Sequence, residues 1–359
     1  MKKLRLIFCL FIAVFLGIAG GVCVFVKAMT SDNLKHDLSI AAVSLSMPKA
    51  LTVNSSESRQ LASPDDVPAD TTSAQTNAEA TSDQSIHTTD VVDIHEDEVH
   101  FPVVESRFGE SGVSCSNFFI KDSMGIGTDF ESLLRLPLGF DFSRSTEPQV
   151  LIFHTHTSES YLDYDLGYYH ESFYPRTSDN SKNMVSVGER IAESLKRNGI
   201  GVIHATEVHD SPEYSGAYDR SWETITKYVE QYPSIKVVLD IHRDSIAGEG
   251  GAKVKPTFEV KGKKAAQMMI MAGCDTGGYY GFPDWEYNLR FALKLQECAE
   301  EMYPGMTRPL YFGDFAYNMP ITRGSLLIEV GTDVNTYREA QYTGELLGNV
   351  LARVLQREG

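Results

Sequence analysis

The stretch "VLIFHTHTSESY", residues 150–161, decides how this chain is read. Four apolar residues run straight into His154 and His156, and a carboxylate, Glu159, follows three positions later. A short apolar run bounded by polar residues is the pattern of a buried strand. Similar runs recur as "IGVIH" (200–204), "KVVLDI" (236–241), "QMMIMAG" (267–273) and "SLLIEV" (325–330). Helical patterns alternate with them. "NSKNMVSVGERIAESLKRNG" lines up Met184, Val187, Ile191 and Leu195 on one side and stops at Gly199, a C-terminal cap. "WETITKYVEQYP", "DWEYNLRFALKLQECAEEMYPG" and "NTYREAQYTGELLGNVLARVLQ" complete the helical set. The alternation predicts one α/β domain over residues 101–359, a mostly parallel sheet with helices on both faces.

In an open parallel sheet, sites form just outside the carboxyl ends of the strands. Three of the expected strands end in useful groups. The first delivers His154 and His156, the third delivers His242 followed by Arg243 and Asp244, and the last delivers Glu329. Two sources of imidazole and a carboxylate suit a catalytic zinc, which takes three N or O ligands and keeps one position open for water. A neighbouring carboxylate then serves as general base. Either both histidines of the doublet face the site, as residues i and i+2 of an extended segment do, or one binds and the other orients it. Glu159 is placed to fold back as the carboxylate ligand, and His242 is the least replaceable ligand because no other histidine ends its strand. A single strand-end histidine is ordinarily a hydrogen-bonded structural residue; the shared placement of three such elements is what points to a metal. Arg243 and Asp244 read as a supporting ion pair, Asp240 as structural support, and His204 and His209 as solvated loop residues. The loop "GGYYGFPDW" (277–285) reads either as an aromatic platform for sugar or peptide or as a turn packed on the core. No serine-hydrolase elbow, phosphate-binding glycine loop or H-E-x-x-H helix is present.

Composition sets the surroundings. A formal charge of −17 and a pI near 5.0 exclude a basic footprint for nucleic acid. Lys2, Lys3 and Arg5 precede an uncharged apolar run from Leu6 to Val26, long enough to span a hydrocarbon core of roughly 30 Å. Residues 1–28 are therefore expected to be a cytoplasmic N-terminus and a transmembrane anchor, with everything later outside. The run exceeds the usual signal-peptide core and lacks a small-x-small cleavage site, which favours a retained anchor over a cleaved signal. Residues 29–100 are Ser-, Thr- and Asp-rich without a single aromatic, the composition of a disordered tether. Such a tether reaches roughly 45–50 Å. Beyond the apolar run, Cys115, Cys274 and Cys298 are odd in number and without zinc spacing, so they read as small buried hydrophobes.

The segments "FHTHTSESY", "AYDRSWETI", "VVLDIHRDS" and "LLIEVGTDVNTYREA" resemble the stage II sporulation protein P family over roughly residues 101–359. "IEVGTDVNTYREA" is also similar to the closing strand, loop and helix of zinc N-acetylmuramoyl-L-alanine amidases. The resemblance implies a membrane-anchored zinc hydrolase of peptidoglycan that removes stem peptides and also cuts peptide cross-links during engulfment of the forespore. It implies a location between the mother-cell and forespore membranes and partnership with stage II sporulation proteins D and M. Carried onto this sequence, a histidine of the doublet and His242 would bind zinc, and Glu329 would act on the attacking water. One departure stands out. In the wider amidase family a ligand glutamate opens the helix after the first histidine, and no carboxylate stands there near Asn183, leaving Glu159 or the second histidine of the doublet as substitute.

Overall fold

The computed structural model describes residues 98–142 and 145–358; the expected anchor and all but the last residues of the expected tether lie outside them. Among the described residues no helix is long and apolar enough to cross a membrane. The chain runs through β1 (His100–Ser106), β2 (Val113–Cys115), β3 (Phe118–Asp122), a short helix α1 (Phe130–Arg135), β4 (Pro148–Phe153) and β5 (Tyr168–His170). There follow α2 (Met184–Arg197), β6 (Gly201–His204), α3 (Ala217–Gln231), β7 (Val237–Asp244), β8 (Lys253–Val260) and β9 (Lys263–Ala266). The last part comprises β10 (Met268–Cys274), α4 (Trp285–Met302), β11 (Leu310–Asp314), β12 (Gly324–Thr332) and α5 (Tyr337–Glu358).

Eight strands form one sheet in the order β2-β3-β11-β10-β12-β7-β4-β6. Its pairings are parallel except for β2 with β3 and β10 with β12. The α/β class and the mostly parallel sheet thus agree with the sequence pattern, and the five apolar runs appear as β4, β6, β7, β10 and β12. The pattern did not show the smaller sheet, β5-β1-β8-β9.

Alternating side chains of the large sheet feed cores on its two faces, as the pleat requires. Val150, Ile152, Leu239, Ile241, Leu326 and Ile328 pack with α1, α2, α4 and α5 on one face. Leu151, Phe153 and Val238 pack with Ile225 of α3 on the other. Helices therefore cover both faces, four against one.

The four-helix face is held close by glycine. A Cβ at Gly348 of α5 would stand 2.5 Å from Ser194 Cβ and 2.7 Å from the Ile191 carbonyl of α2; one at Gly344 would stand 2.7 Å from the Val187 carbonyl. Backbone carbonyls cannot turn aside as side chains can, so these two glycines set the α2–α5 distance. Alanine is the better helix former by about 1 kcal/mol, but overpacking, at about 1–3 kcal/mol, outweighs that gain. Gly348→Ala is accordingly expected to lower stability in urea unfolding; unchanged or higher stability would show that the two helices part freely.

Candidate active site

Strand register brings the first two groups together. In the parallel pair β7–β12, His242 stands opposite Glu329, so both side chains leave the sheet on the same face. Asp240, two residues before His242, shares that face. The chain reaches the same place from β4 by a turn: the strand ends at Phe153, and residues 155–158 bend instead of continuing extended. Asp240 holds this turn, accepting hydrogen bonds from Thr155 N (2.9 Å) and Thr155 Oγ1 (2.7 Å). Asn318 braces it from the other side through Ser221 Oγ (2.8 Å) and Thr155 Oγ1 (3.3 Å).

The turn separates the histidine doublet. His154 continues the alternation of β4 towards α2, where its Nδ1 meets the Ile241 carbonyl at 3.0 Å and its Nε2 meets His204 Nε2 at 2.9 Å. Glu189 of α2 closes the chain at His204 Nδ1, 3.1 Å away. Gly188 makes room for this pair, since a Cβ there would stand 2.5 Å from His204 Nε2 and 2.7 Å from His154 Nε2. His156, past the bend, points to the α3 face instead. Its ring lies edge-on to His242 at 5.2 Å and stacks on Tyr214 at 4.5 Å, with the Tyr214 hydroxyl 3.0 Å from its Nε2. Of the two readings of the doublet, the one in which both histidines face one point gives way to one on each face of the sheet. The i, i+2 rule holds only while the backbone stays extended.

Glu159 folds back as expected. It is buried, with Oε2 3.6 Å from His242 Nδ1 and 3.4 Å from the Arg243 amide, and Oε1 3.6 Å from Arg176. Arg243 and Asp244 do not form the expected pair, because neighbours along a strand point to opposite faces. Arg243 donates to the carbonyls of Ser160 (3.0 Å) and Pro175 (2.8 Å), whereas Asp244 pairs with Arg308 at 2.8 Å. His209 is no solvated residue either: it is buried, with Nδ1 2.8 Å from the His154 carbonyl and Nε2 3.0 Å from Thr224 Oγ1. The loop 277–285 is a turn on the core. Asp275 accepts from the amides of Tyr279, Tyr280 and Phe282, and Phe282 is buried while Tyr279 is left exposed. The three cysteines outside the apolar run are free and buried, as small hydrophobes are.

Burial dominates the site's electrostatics. It depresses His156 to about 4 and His154 to about 3, so both imidazoles are neutral at physiological pH. Burial opposes the charged form of His242 too, but Asp240 and Glu159 outweigh it and hold the ring protonated well above its usual range. Glu159 in turn is kept ionised by Arg243 and His242 against its own desolvation. Glu329 is the exception. It keeps partial exposure as a residue, yet its Oε2 is buried without a hydrogen-bond partner, and desolvation together with Asp244 pushes its carboxyl up to about 8. A carboxyl tuned to the neutral range is fit to carry a proton.

Among the described residues no three His, Cys, Asp or Glu side chains converge closely enough to hold a metal ion as they stand. The chemistry of the donors nevertheless suits zinc. His156 Nδ1 and His242 Nε2 are buried without a hydrogen-bond partner, the latter 2.9 Å from Asp240 Oδ1 but out of line with it. The His156 and His242 imidazoles, with the Glu159 carboxylate 3.6 Å from His242 Nδ1, are a nitrogen and oxygen donor set of the kind a catalytic zinc takes. His154 is not among them.

Three tyrosines that the sequence did not single out wall this place. Tyr218, from the first turn of α3, lies edge-on to His156 at 5.6 Å and stacks on Tyr317 at 5.3 Å. Tyr317 has φ 46°, in the left-handed region that a bulky side chain enters only at a cost. Tyr214 and Arg176 come from loops, where no periodicity marks them.

The sequence profile of the family Stage II sporulation protein P (SpoIIP) matches residues 27–352. The chain belongs to this family. No curated protein matches the chain. Among solved structures, N-acetylmuramoyl-L-alanine amidase AmiC2 of Nostoc punctiforme is 13% identical, with a TM-score of 0.35, over 59% of this chain and 97% of its own. N-acetylmuramyl-L-alanine amidase Ami1 from Mycobacterium smegmatis is 12% identical (TM-score 0.35) over 59% and 99% of the two chains. The CwlD amidase from Clostridioides difficile, solved in complex with the GerS lipoprotein, is 11% identical (TM-score 0.34) over 58% and 99%. Likeness this slight adds nothing to what the SpoIIP chain's own residues say.

The raised Glu329 carboxyl has a measurable consequence for this SpoIIP chain. Its folded form holds the proton up to about 8 and its unfolded form only to about 4.5, so Glu329 withdraws stability as pH climbs through that window. In metal-free protein, Glu329→Gln is expected to match wild-type stability near the lower limit and exceed it at the upper one. The gain is at most about 1.4 kcal/mol per pH unit crossed. Urea unfolding across the window measures it, and parallel curves for the two proteins would show that the carboxyl ionises in place.

Proposed function

We propose that the site is a zinc-dependent peptidoglycan amidase centre that cuts the bond between N-acetylmuramic acid and the first residue of the stem peptide. The observation that carries the reading is the register pair His242–Glu329, with an unpartnered buried atom on each residue, beside His156 and Glu159. His156, Glu159 and His242, the last only on giving up its proton, would hold the metal, which would polarise the scissile carbonyl and acidify the attacking water. Glu329, in its ionised form, would take the proton from that water at Oε2 and return it to the leaving amide nitrogen. Asp240 orients His242 from its Nε2 side, the Arg243 amide holds Glu159, and Tyr218 and Tyr317 keep bulk water from the reacting atoms. Membership of SpoIIP and the apolar run from Leu6 to Val26 support a hydrolase anchored on the outer face of a membrane and acting in sporulation.

The test is digestion of purified peptidoglycan by the full-length protein in detergent, with mass spectrometry of what is released. Whole stem peptides with free amino termini are expected, and a chelator is expected to stop their release until zinc is restored. Glu329→Gln should bind zinc as the wild type does yet release nothing; stem peptides at the wild-type rate would remove Glu329 from the mechanism.

The two faces of the histidine doublet give a sharper contrast. His156→Ala and His242→Ala are expected to lose zinc from the purified protein. His154→Ala should keep it and instead lower stability, since it leaves His204 Nε2 and the Ile241 carbonyl without their partner. Zinc content by atomic emission distinguishes the two cases, and loss of metal in the His154 variant would return that residue to the ligand set.

A further inference from the structure

Beside His156 the surface opens into two neighbouring cavities of about 880 and 670 Å³, which share Tyr174, Arg176 and Thr177 as a common wall. Each is of a size that takes a small organic ligand. Joined, they make a trough for something extended, with one end at Tyr214, whose ring stacks on His156.

We propose that this trough seats the glycan strand of peptidoglycan, with Tyr174 and Tyr164 as flat platforms for its sugar rings. The inference rests on the amidase reading of the adjoining site and adds which part of the substrate lies where.

Charge pairing decides for glycan over stem peptide. A stem peptide bears free carboxylates and calls for unpaired cations. The cations lining the trough are already matched. Arg176 lies 2.7 Å from Asp210 and 3.6 Å from Glu159, and Lys182 lies 3.0 Å from Asp163. What remains is neutral: hydroxyls and amides such as those of Thr177 and Asn180, and aromatic faces. Chains of acetamido sugars offer the complement, with hydroxyl and amide groups along their edges and apolar C–H faces for a ring to lie against. The aromatic faces are unusually open. Tyr174 is 72% exposed and Tyr164 39%, whereas Tyr161 of the same segment is buried at 3%. Large aromatic rings left in water at the mouth of a cleft mark a binding surface. The trough also leads to the right place. Arg176 lies over the Tyr214 ring at 4.8 Å, so one continuous wall runs from the sugar platform to His156.

Full-length protein carrying Glu329→Gln, which removes turnover from the measurement, is titrated in detergent with the β-1,4-linked tetramer of N-acetylglucosamine and, separately, with a free tetrapeptide stem. The tetramer is expected to bind and the peptide to bind more weakly. Adding Tyr174→Ala should weaken the tetramer about tenfold, and Tyr174→Phe, which keeps the ring face, should restore it. Tyr279→Ala, at a ring 82% exposed on the distant 277–285 loop, is the control and should change nothing. Tetramer affinity indifferent to Tyr174→Ala, or a preference for the peptide, overturns the inference even if the wild type cuts peptidoglycan. Conversely, sugar binding that depends on Tyr174 in a protein that cuts nothing sustains the trough and sinks the amidase reading.

Discussion

The placement of β12 beside β7 is the constraint on which the site depends. In a parallel pair a shift of one residue sends every side chain to the other face. Here such a shift would turn Glu329 in beside Ile241 under the four-helix core and turn Ile328 out to the face of His242. The hydrophobic pattern forbids it, because Leu326 and Ile328 must enter the same core as Leu239 and Ile241. The packing of the sheet interior thus fixes the chemistry at its edge.

Charge around the site is arranged in closed loops, with one group left out. Glu159 answers to Arg243, Arg176 and His242, and Asp240 to His242 and the Thr155 turn. Each buried charge has a counter-charge or a donor, as burial demands. Glu329 sits at the rim of this arrangement, with a like charge at Asp244 and an unanswered oxygen. The same low-dielectric surroundings that strengthen the paired groups make the unpaired one hold its proton.

What the sequence disclosed follows from burial on both faces. β4, β7, β10 and β12 lie inside the large sheet, so each reads as an unbroken apolar run, and the helices between them carry clear amphipathic spacing. The smaller sheet was not legible because its strands alternate or carry charge. β8 contains Lys255, buried to 1% and tolerable there only because Asp165 and Glu339 stand 2.7 and 3.2 Å away in space, though far off in sequence. In the candidate site, His242, Glu159 and Glu329 were marked by their places at or past the ends of apolar runs, although β7 continues to Asp244 and β12 to Thr332. The parting of His154 from His156 was not, since nothing in "HTHTSES" announces that the backbone bends at Thr155. Tyr214 and Arg176 reach His156 and Glu159 from loops that only the folded chain brings near.

The contact of His154 with His204 across Gly188 has a bearing on how such a chain can vary. The volume that a side chain at position 188 would fill is occupied by the edges of two imidazoles contributed by two different strands. Any larger residue on α2 must evict one of them, and a smaller residue in place of either histidine leaves a hole that glycine cannot fill. The three positions, scattered across fifty residues of sequence, therefore behave as a single heritable character: they can be exchanged as a set, or kept as a set, but hardly one at a time.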